Sequence, residues 1–248
     1  RTVDKLDKIG AEKVCTILKD DLGLTEEQAQ ELMDCIWVKL NDINKVREAA
    51  TEMLKDKERF KDCPNYQHDI ADVVRQTLTD STYYLIKDIA ASYEKKDMEA
   101  FKAQYTTFLG ILGDLNRLLS QVGLFRLEKW TSSARNICDE VPGTTEADRD
   151  WMEWNARTLI TVWGPEQCAE KGKLHDYSSR QWGGMLNDFY LARWEMFFKA
   201  LEEGKTISSP EWFKWEENWT RSKTITKVAE ENPVDVACEL YDKYFSKQ

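Results

Sequence analysis

A chain of 248 residues can bury a sizeable core without metal or disulfide staples, and its hydrophobic content of 42% with 11% aromatics is that of a globular protein. The formal net charge of -10 argues against a protein that tracks nucleic-acid phosphates, which needs a basic face to release counterions. No run of about 18 apolar residues is present to make a membrane-spanning helix, and 5 prolines with 11 glycines supply too few turns for an all-β fold.

Taken in order, residues 2–20 place Val3, Leu6, Ile9, Val14 and Leu18 at near-helical spacing, ending at Leu22-Gly23. Thr25 and Gln28 form a capping box for a second helix carrying Ala29, Leu32, Ile36 and Leu40, so residues 1–41 read as a helical hairpin. A charged third helix is expected over about Ile43 to Phe60, with Pro64 closing the segment after it. From Asp69 to Tyr93, Ile70, Val73, Val74, Leu78, Leu85, Ile86 and Ile89 outline a long amphipathic helix, with Tyr83 and Tyr84 adding bulk. Asp97 caps the next, in which Phe101, Tyr105, Phe108, Leu112, Leu115 and Leu119 recur at steps of three and four until Gly123. The short connection between these two makes them antiparallel neighbours.

A shorter helix over 124–138 holds Trp130, and Val141-Pro142-Gly143 breaks the chain. Thr145 with Asp148 resembles a capping box for a helix carrying Trp151, Trp154, Leu159 and Ile160. At Trp163-Gly164-Pro165 the helical pattern stops and a polar loop runs to Leu174, before a helical pattern resumes at about Tyr177 and continues through Trp182, Phe189, Trp194 and Phe198 to Gly204. Ser209-Pro210 starts a helix with Trp212, Trp215 and Trp219, and Asn232-Pro233 introduces the last. The expected fold is all-α, an irregular bundle of about nine or ten helices.

Residues 154–194 concentrate what the remainder keeps apart: aromatics, glycines, a proline and one of two histidines. Nine of the 10 tryptophans lie between Trp130 and Trp219, and a tryptophan on a helical stripe is normally core. Trp163 differs, because Gly-Pro would hold its ring where the chain leaves the bundle, a sensible platform for a sugar ring or a base. His175, Asp176 and Tyr177 form a compact donor and acceptor group that suits a substrate hydroxyl; alternatively Asp176 caps the following helix and His175 is an ordinary loop residue. Arg193 beside Trp194 is placed to stack on a ring or to pair with a buried carboxylate. Acidic pairs such as Glu216-Glu217 and Glu230-Glu231 read as solvated helix faces. Six scattered cysteines without a C-x-x-C pair argue against zinc and read as buried thiols. No phosphate loop, nucleophile elbow or facing carboxylate pair stands out, so the residues give an aromatic ligand platform and no complete active site.

The stretch TLITVWGPEQ, with LHDYSSRQWGGMLNDFYLARWEMFFKAL after it, strongly resembles the C-terminal helical domain of the alpha-N-acetylglucosaminidase family of glycoside hydrolases. CPNYQHDIADVVRQTL, LGILGDLNRLL, FRLEKW and PVDVACELYDKYF extend the likeness over about residues 43–248. Residues 1–40 do not look like that family; TVDKLDKIG and LGLTEEQAQEL are faintly similar to a helical part of histidine-tRNA ligases. The organisation expected is therefore a hairpin over 1–41 and the family-like domain over 42–248.

The resemblance implies exo-hydrolysis of terminal alpha-linked N-acetylglucosamine with retention, performed by two glutamates on a (β/α)₈ barrel that this chain lacks. It implies that Trp163, Leu174, His175 and Tyr177 form one wall of the sugar pocket, with Asp176, Arg193 and Trp194 in support. No catalytic residue, metal or cofactor is expected in this chain. Its expected partners are the barrel domain and glycans ending in N-acetylglucosamine, and family members point to a secreted, periplasmic or lysosomal parent. Arg1 in place of a Met reads as the cut end of a longer protein. An exposed apolar patch is expected around Trp163 and Tyr177. The alternative is a stand-alone helical interaction or carbohydrate-binding module.

Overall fold

The computed structural model describes residues 25, 27–28, 43–169, 176 and 178–246. The chain divides into two units, residues 1–46 and 47–248. In the first, the described residues show the expected capping box: the Thr25 amide donates to Gln28 Oε1 at 3.0 Å and the Gln28 amide to Thr25 Oγ1 at 3.2 Å. The other elements read in residues 1–41 lie outside the described residues.

Helix α1 spans Ile43–Leu54, a four-residue α2 spans Lys57–Phe60, and α3 runs Pro64–Glu94. The expected single helix over 43–60 is thus two, and Pro64 opens α3 instead of closing the segment before it. Proline at the first helical position forfeits an amide that has no intrahelical partner anyway. The buried stripe of α3 is Ile70, Ala71, Val74, Thr77, Leu78, Thr82 and Ile89, whereas Tyr83, Tyr84 and Ile86 face solvent.

Asp97 caps α4 (Met98–Leu119) by accepting from the Ala100 amide at 3.1 Å. Phe101, Tyr105, Phe108, Ile111, Leu112, Leu115, Leu118 and Leu119 of α4 are buried in one cluster with the α3 stripe. A 3-10 turn at Gly123–Phe125 leads to α5 (Leu127–Asn136), and a second at Ile137–Glu140 follows it. Then come α6 (Glu146–Leu159), the short α7 (Glu166–Ala169), a π-helical turn Leu186–Leu191 running into α8 (Ala192–Glu202), α9 (Ser209–Arg221) and α10 (Pro233–Phe245). Val234, Val236, Ala237, Leu240 and Tyr241 bury one side of α10 in the main cluster. Leu127, Ile160, Met185, Phe189 and Trp219 form a second, smaller cluster where α5, α6, the π turn and α9 meet.

The described residues contain no strand, only one isolated parallel bridge between Arg126 and Gly183, so the fold is an all-α irregular bundle. That bridge seats the π turn. The Gly183 amide donates to Phe125 O at 2.7 Å, and the Leu127 amide to Gly183 O at 2.9 Å. The backbones pass so closely that a Cβ on Gly183 would lie 2.6 Å from the Ser120 amide nitrogen, which only glycine avoids. Buried Asn116 completes the seat by accepting from the Gly184 amide at 2.7 Å.

The described cysteines are free thiols, with Cys138 buried as expected and Cys63 exposed against expectation. No described helix is long and apolar enough to cross a membrane.

Candidate functional site

The site is built from the C-terminal end of α6, the π turn entering α8, and α9. Thr145 and Asp148 start α6 with a reciprocal box: the Thr145 amide donates to Asp148 Oδ2 at 2.7 Å and the Asp148 amide to Thr145 Oγ1. At the other end the chain closes on itself. The Trp163 amide reaches back to Thr158 O at 2.8 Å, and Trp163 adopts φ +67°, the left-handed conformation that ordinarily belongs to glycine in a helix-terminating turn. For a bulky side chain this is costly, on the order of 1–2 kcal/mol, and such strain persists only where surrounding contacts impose it. The half-buried Trp163 thus sits where the chain turns out of the helical path.

The far end of the loop is fastened to the same place. The Asp176 amide donates to Thr161 O at 2.8 Å, and Thr161, fully buried, itself donates through Oγ1 to Arg157 O at 2.7 Å. Asp176 also has a positive φ, +56°, which a short polar side chain tolerates better than tryptophan does. Ser179 folds under it, donating from Oγ to Asp176 O at 2.9 Å.

Asp176 is not the cap of the following helix. Helical backbone resumes at Met185, well past the expected Tyr177, and the Asp176 side chain turns inward to Arg193. Arg193 Nη1 lies 2.8 Å from Asp176 Oδ2 and 2.7 Å from Glu216 Oε1, while its guanidinium packs over the rings of Phe189 and Tyr190 at 4.8 and 5.3 Å from their centroids. Both readings of Arg193, ring stacking and pairing with a buried carboxylate, are therefore realised at once. Burial works against the guanidinium charge, but Asp176 and Glu216 outweigh it and hold the Arg193 pKa above its usual value. Burial, reinforced by Asp176, likewise pushes the Tyr190 phenol upward, so it stays protonated. Trp194, the neighbour of Arg193, faces the main core and stacks on Phe198 at 5.4 Å.

Glu216 is the member that the sequence concealed. It is 2% exposed and not a solvated face; only its neighbour Glu217 faces outward, to pair with Arg221 at 3.1 Å. The available signal was spacing, because Glu216 falls between Trp212, Trp215 and Trp219 on the stripe that α9 buries. Arg157 was missed for the same reason. It is fully buried, pairs with Glu153 at 3.0 Å and lies over Trp219 at 4.9 Å. Burial lowers its pKa and Glu153 opposes that shift.

Leu174, His175 and Tyr177 lie outside the described residues, as does part of the apolar patch expected there. Of the nominated residues the structure brings together Asp176 and Arg193 directly, with Trp163 at the opposite end of the same pinned loop. The two carboxylates of the site, Asp176 and Glu216, are both engaged by Arg193, which gives the arrangement a holding role and not an acid and base pair. Among the described residues no group of three His, Cys, Asp or Glu is arranged to hold a metal ion.

A human alpha-N-acetylglucosaminidase is 24% identical over 234 residues, covering 90% of this chain and 30% of the human protein. A family 89 glycoside hydrolase from Clostridium perfringens, solved in complex with 2-acetamido-1,2-dideoxynojirmycin, superposes with a TM-score of 0.72 at 29% identity. That match covers 82% of this chain and 24% of the hydrolase. The same organism's enzyme in complex with its substrate GlcNAc-alpha-1,4-galactose matches with a TM-score of 0.68 at 31% identity, over 77% of this chain and 22% of that one. The chain thus spans less than a third of the length of these relatives. The family model for the alpha-N-acetylglucosaminidase (NAGLU) C-terminal domain matches residues 14–243, so the likeness takes in residues 14–40, which were expected to lie outside the family. A match over nearly the whole chain, with the shared helical fold, places it plainly: the chain belongs to the alpha-N-acetylglucosaminidase C-terminal domain family.

Proposed function

We propose that this chain is the helical part of an exo-acting, retaining alpha-N-acetylglucosaminidase, in which it closes one side of the sugar pocket while the catalytic carboxylates belong to a separate barrel domain. The observation that carries this reading is Trp163. It is a half-buried tryptophan held in a left-handed conformation, on a loop whose two ends are fastened at Thr158 and Thr161, where the chain leaves α6. A strained residue of this kind is worth keeping where the ring has a task that a relaxed one would not perform.

In this reading Trp163, Leu174, His175 and Tyr177 face the terminal N-acetylglucosamine. Asp176, Arg193 and Glu216 lock the base of the loop, and Trp194 ties α8 to the core behind it. The wall contributes shape and stacking, and leaves proton transfer and nucleophilic attack to the partner domain. The natural ligands are glycans ending in alpha-linked N-acetylglucosamine, and the parent protein is exported or lysosomal.

The test is hydrolysis of an aryl alpha-N-acetylglucosaminide. The 248-residue chain alone gives no turnover above the uncatalysed rate, and the same chain joined to the barrel domain does. Robust turnover by the chain alone would overturn the assignment.

A further inference from the structure

Away from the Trp163 loop, the middle of α6 and the C-terminal end of α9 border an open cavity of about 520 Å³, lined by Asp150, Trp151, Glu153, Trp154, Thr220, Arg221, Ser222 and Lys223. The proposed sugar wall uses none of these residues. The volume falls within the range of small-ligand pockets, above what a few waters fill. At its mouth stands Trp151, 58% exposed, the most open large hydrophobic side chain on α6. Trp154 lies beside it with ring centroids 6.3 Å apart and planes inclined by 53°, so the two indoles form the sides of a corner and not one flat plate. The Arg221 guanidinium covers Trp154 at 5.2 Å from its centroid.

The polar lining is balanced. Asp150 and Glu153 carry two negative charges and Arg221 and Lys223 two positive ones, and the carboxylates are tied down from outside the cavity as well as within it. Lys223 Nζ meets Asp150 Oδ2 at 2.6 Å, and Arg135 Nη1 meets Asp150 Oδ1 at 2.8 Å and Glu153 Oε2 at 3.1 Å. Arg221 is shared with Glu217 at 3.1 Å. Asp150 and Lys223 therefore present an acceptor and a donor side by side, and the charged lining residues carry no net charge to attract an ion.

That combination fits one ligand chemistry. A pyranose ring presents an apolar C–H face to stack on an indole, and vicinal hydroxyls that donate to a carboxylate while accepting from a neighbouring ammonium or guanidinium. An anion would have to displace Asp150 from Lys223, and an aliphatic ligand would leave the charged rim unpaired. We propose that this cavity is a second saccharide site that binds a neutral hexopyranose by stacking on Trp151, with Asp150 and Lys223 bridging adjacent hydroxyls. It holds a sugar without transforming it, and it stands whether or not the Trp163 wall binds one.

The test follows the indole N–H resonances of the ¹⁵N-labelled chain during titration with methyl glycosides of N-acetylglucosamine and galactose, with glucuronate as the anionic comparison. One stacked ring in an open cavity gives weak binding, with a dissociation constant of roughly 1–10 mM. Saturable shifts of the Trp151 and Trp154 resonances by at least one neutral glycoside, abolished in Trp151→Ala and retained in Trp163→Ala, support the proposal. Trp151→Phe keeps a stacking face and retains binding weakened only several-fold. No saturable shift with either neutral glycoside, a response to glucuronate alone, or shifts undiminished in a folded Trp151→Ala protein overturns it.

Discussion

Asp176 and Arg193 meet at 2.8 Å although one precedes the helical backbone that resumes at Met185 and the other lies at the start of α8, and Glu216 of α9 closes on the same guanidinium nitrogen at 2.7 Å. One buried cation thereby fixes three elements relative to each other. Arg193→Ala leaves two buried carboxylates without their cation, a loss of about 3–5 kcal/mol. Arg193→Lys recovers little, because a compact ammonium cannot hold both carboxylates and cover two rings. At about 2–4 °C per kcal/mol for a domain of this size, thermal unfolding of Arg193→Ala should fall by roughly 6–20 °C. A change below about 2 °C would show that the network carries no stability.

Trp163→Gly separates strain from function. Glycine removes the penalty of the left-handed conformation but also the contacts of a half-buried ring, so net stability should move by no more than about 1 kcal/mol. Chemical denaturation of the chain checks this. A loss above about 3 kcal/mol would identify Trp163 as a core residue and not a presented one.

Gly183→Ala should be among the most damaging small substitutions, because the added Cβ meets Ser120 backbone at 2.6 to 2.7 Å and that backbone is fixed by α4. The expected loss is about 1–3 kcal/mol or more, read by urea unfolding. Gly110→Ala, where a Cβ meets nothing within 4 Å, is the matched control and should be neutral or slightly stabilising.

Stability should fall at both ends of the pH scale, for different reasons. On the acid side, Asp148 and Glu211 are held below their usual range by the Thr145 and Ser208 caps, and Glu231 and Glu239 by Arg117. A carboxylate depressed in the folded state stabilises above its unfolded pKa, about 4, and loses that contribution as pH drops through the folded value. On the alkaline side, burial pushes the Tyr105 and Tyr244 phenols up to about 12, with Glu202 and Asp114 adding to the effect. Their contribution is complete below pH about 10 and is lost as pH rises to about 12. Unfolding midpoints in urea should be flat between these limits, and Tyr244→Phe should soften the alkaline decline. An unchanged alkaline decline in Tyr244→Phe would remove that tyrosine from the account.

How much of this was legible in the sequence depended on whether a residue's surroundings are local. The caps at Thr25, Asp97, Thr145 and Asn232 are decided within a few residues, and each helix start they announce is where it was expected, whereas α9 takes its cap from Ser208, one residue earlier than the Ser209-Pro210 signal implies. The periodic leucines and aromatics of α4 likewise gave its buried side. Pro64 is ambiguous in sequence because proline has one meaning at a helix end and the opposite one at its first turn, the role it takes in α3. Ile86 belongs by type to the buried stripe of α3 and by angle to its outer face. Glu216 and Arg157 were invisible because a charged residue on an apolar stripe is buried only if its counter-charge arrives from elsewhere, and that arrival is a property of the whole fold. The delayed helix after the loop has a similar origin: Gly183 and Gly184 follow the Arg126 bridge before any helical turn can close.

The central claim is that the loop from Trp163 to Asp176 forms a wall of a sugar pocket completed by another domain. Its most direct test is kcat/KM for an aryl alpha-N-acetylglucosaminide in the enzyme comprising the barrel and this domain, compared with the same enzyme carrying Trp163→Ala. Loss of a stacking ring worth about 1–3 kcal/mol predicts a fall of roughly 5- to 150-fold with the unfolding temperature of this domain essentially retained. A kcat/KM unchanged within twofold in the folded variant would contradict it.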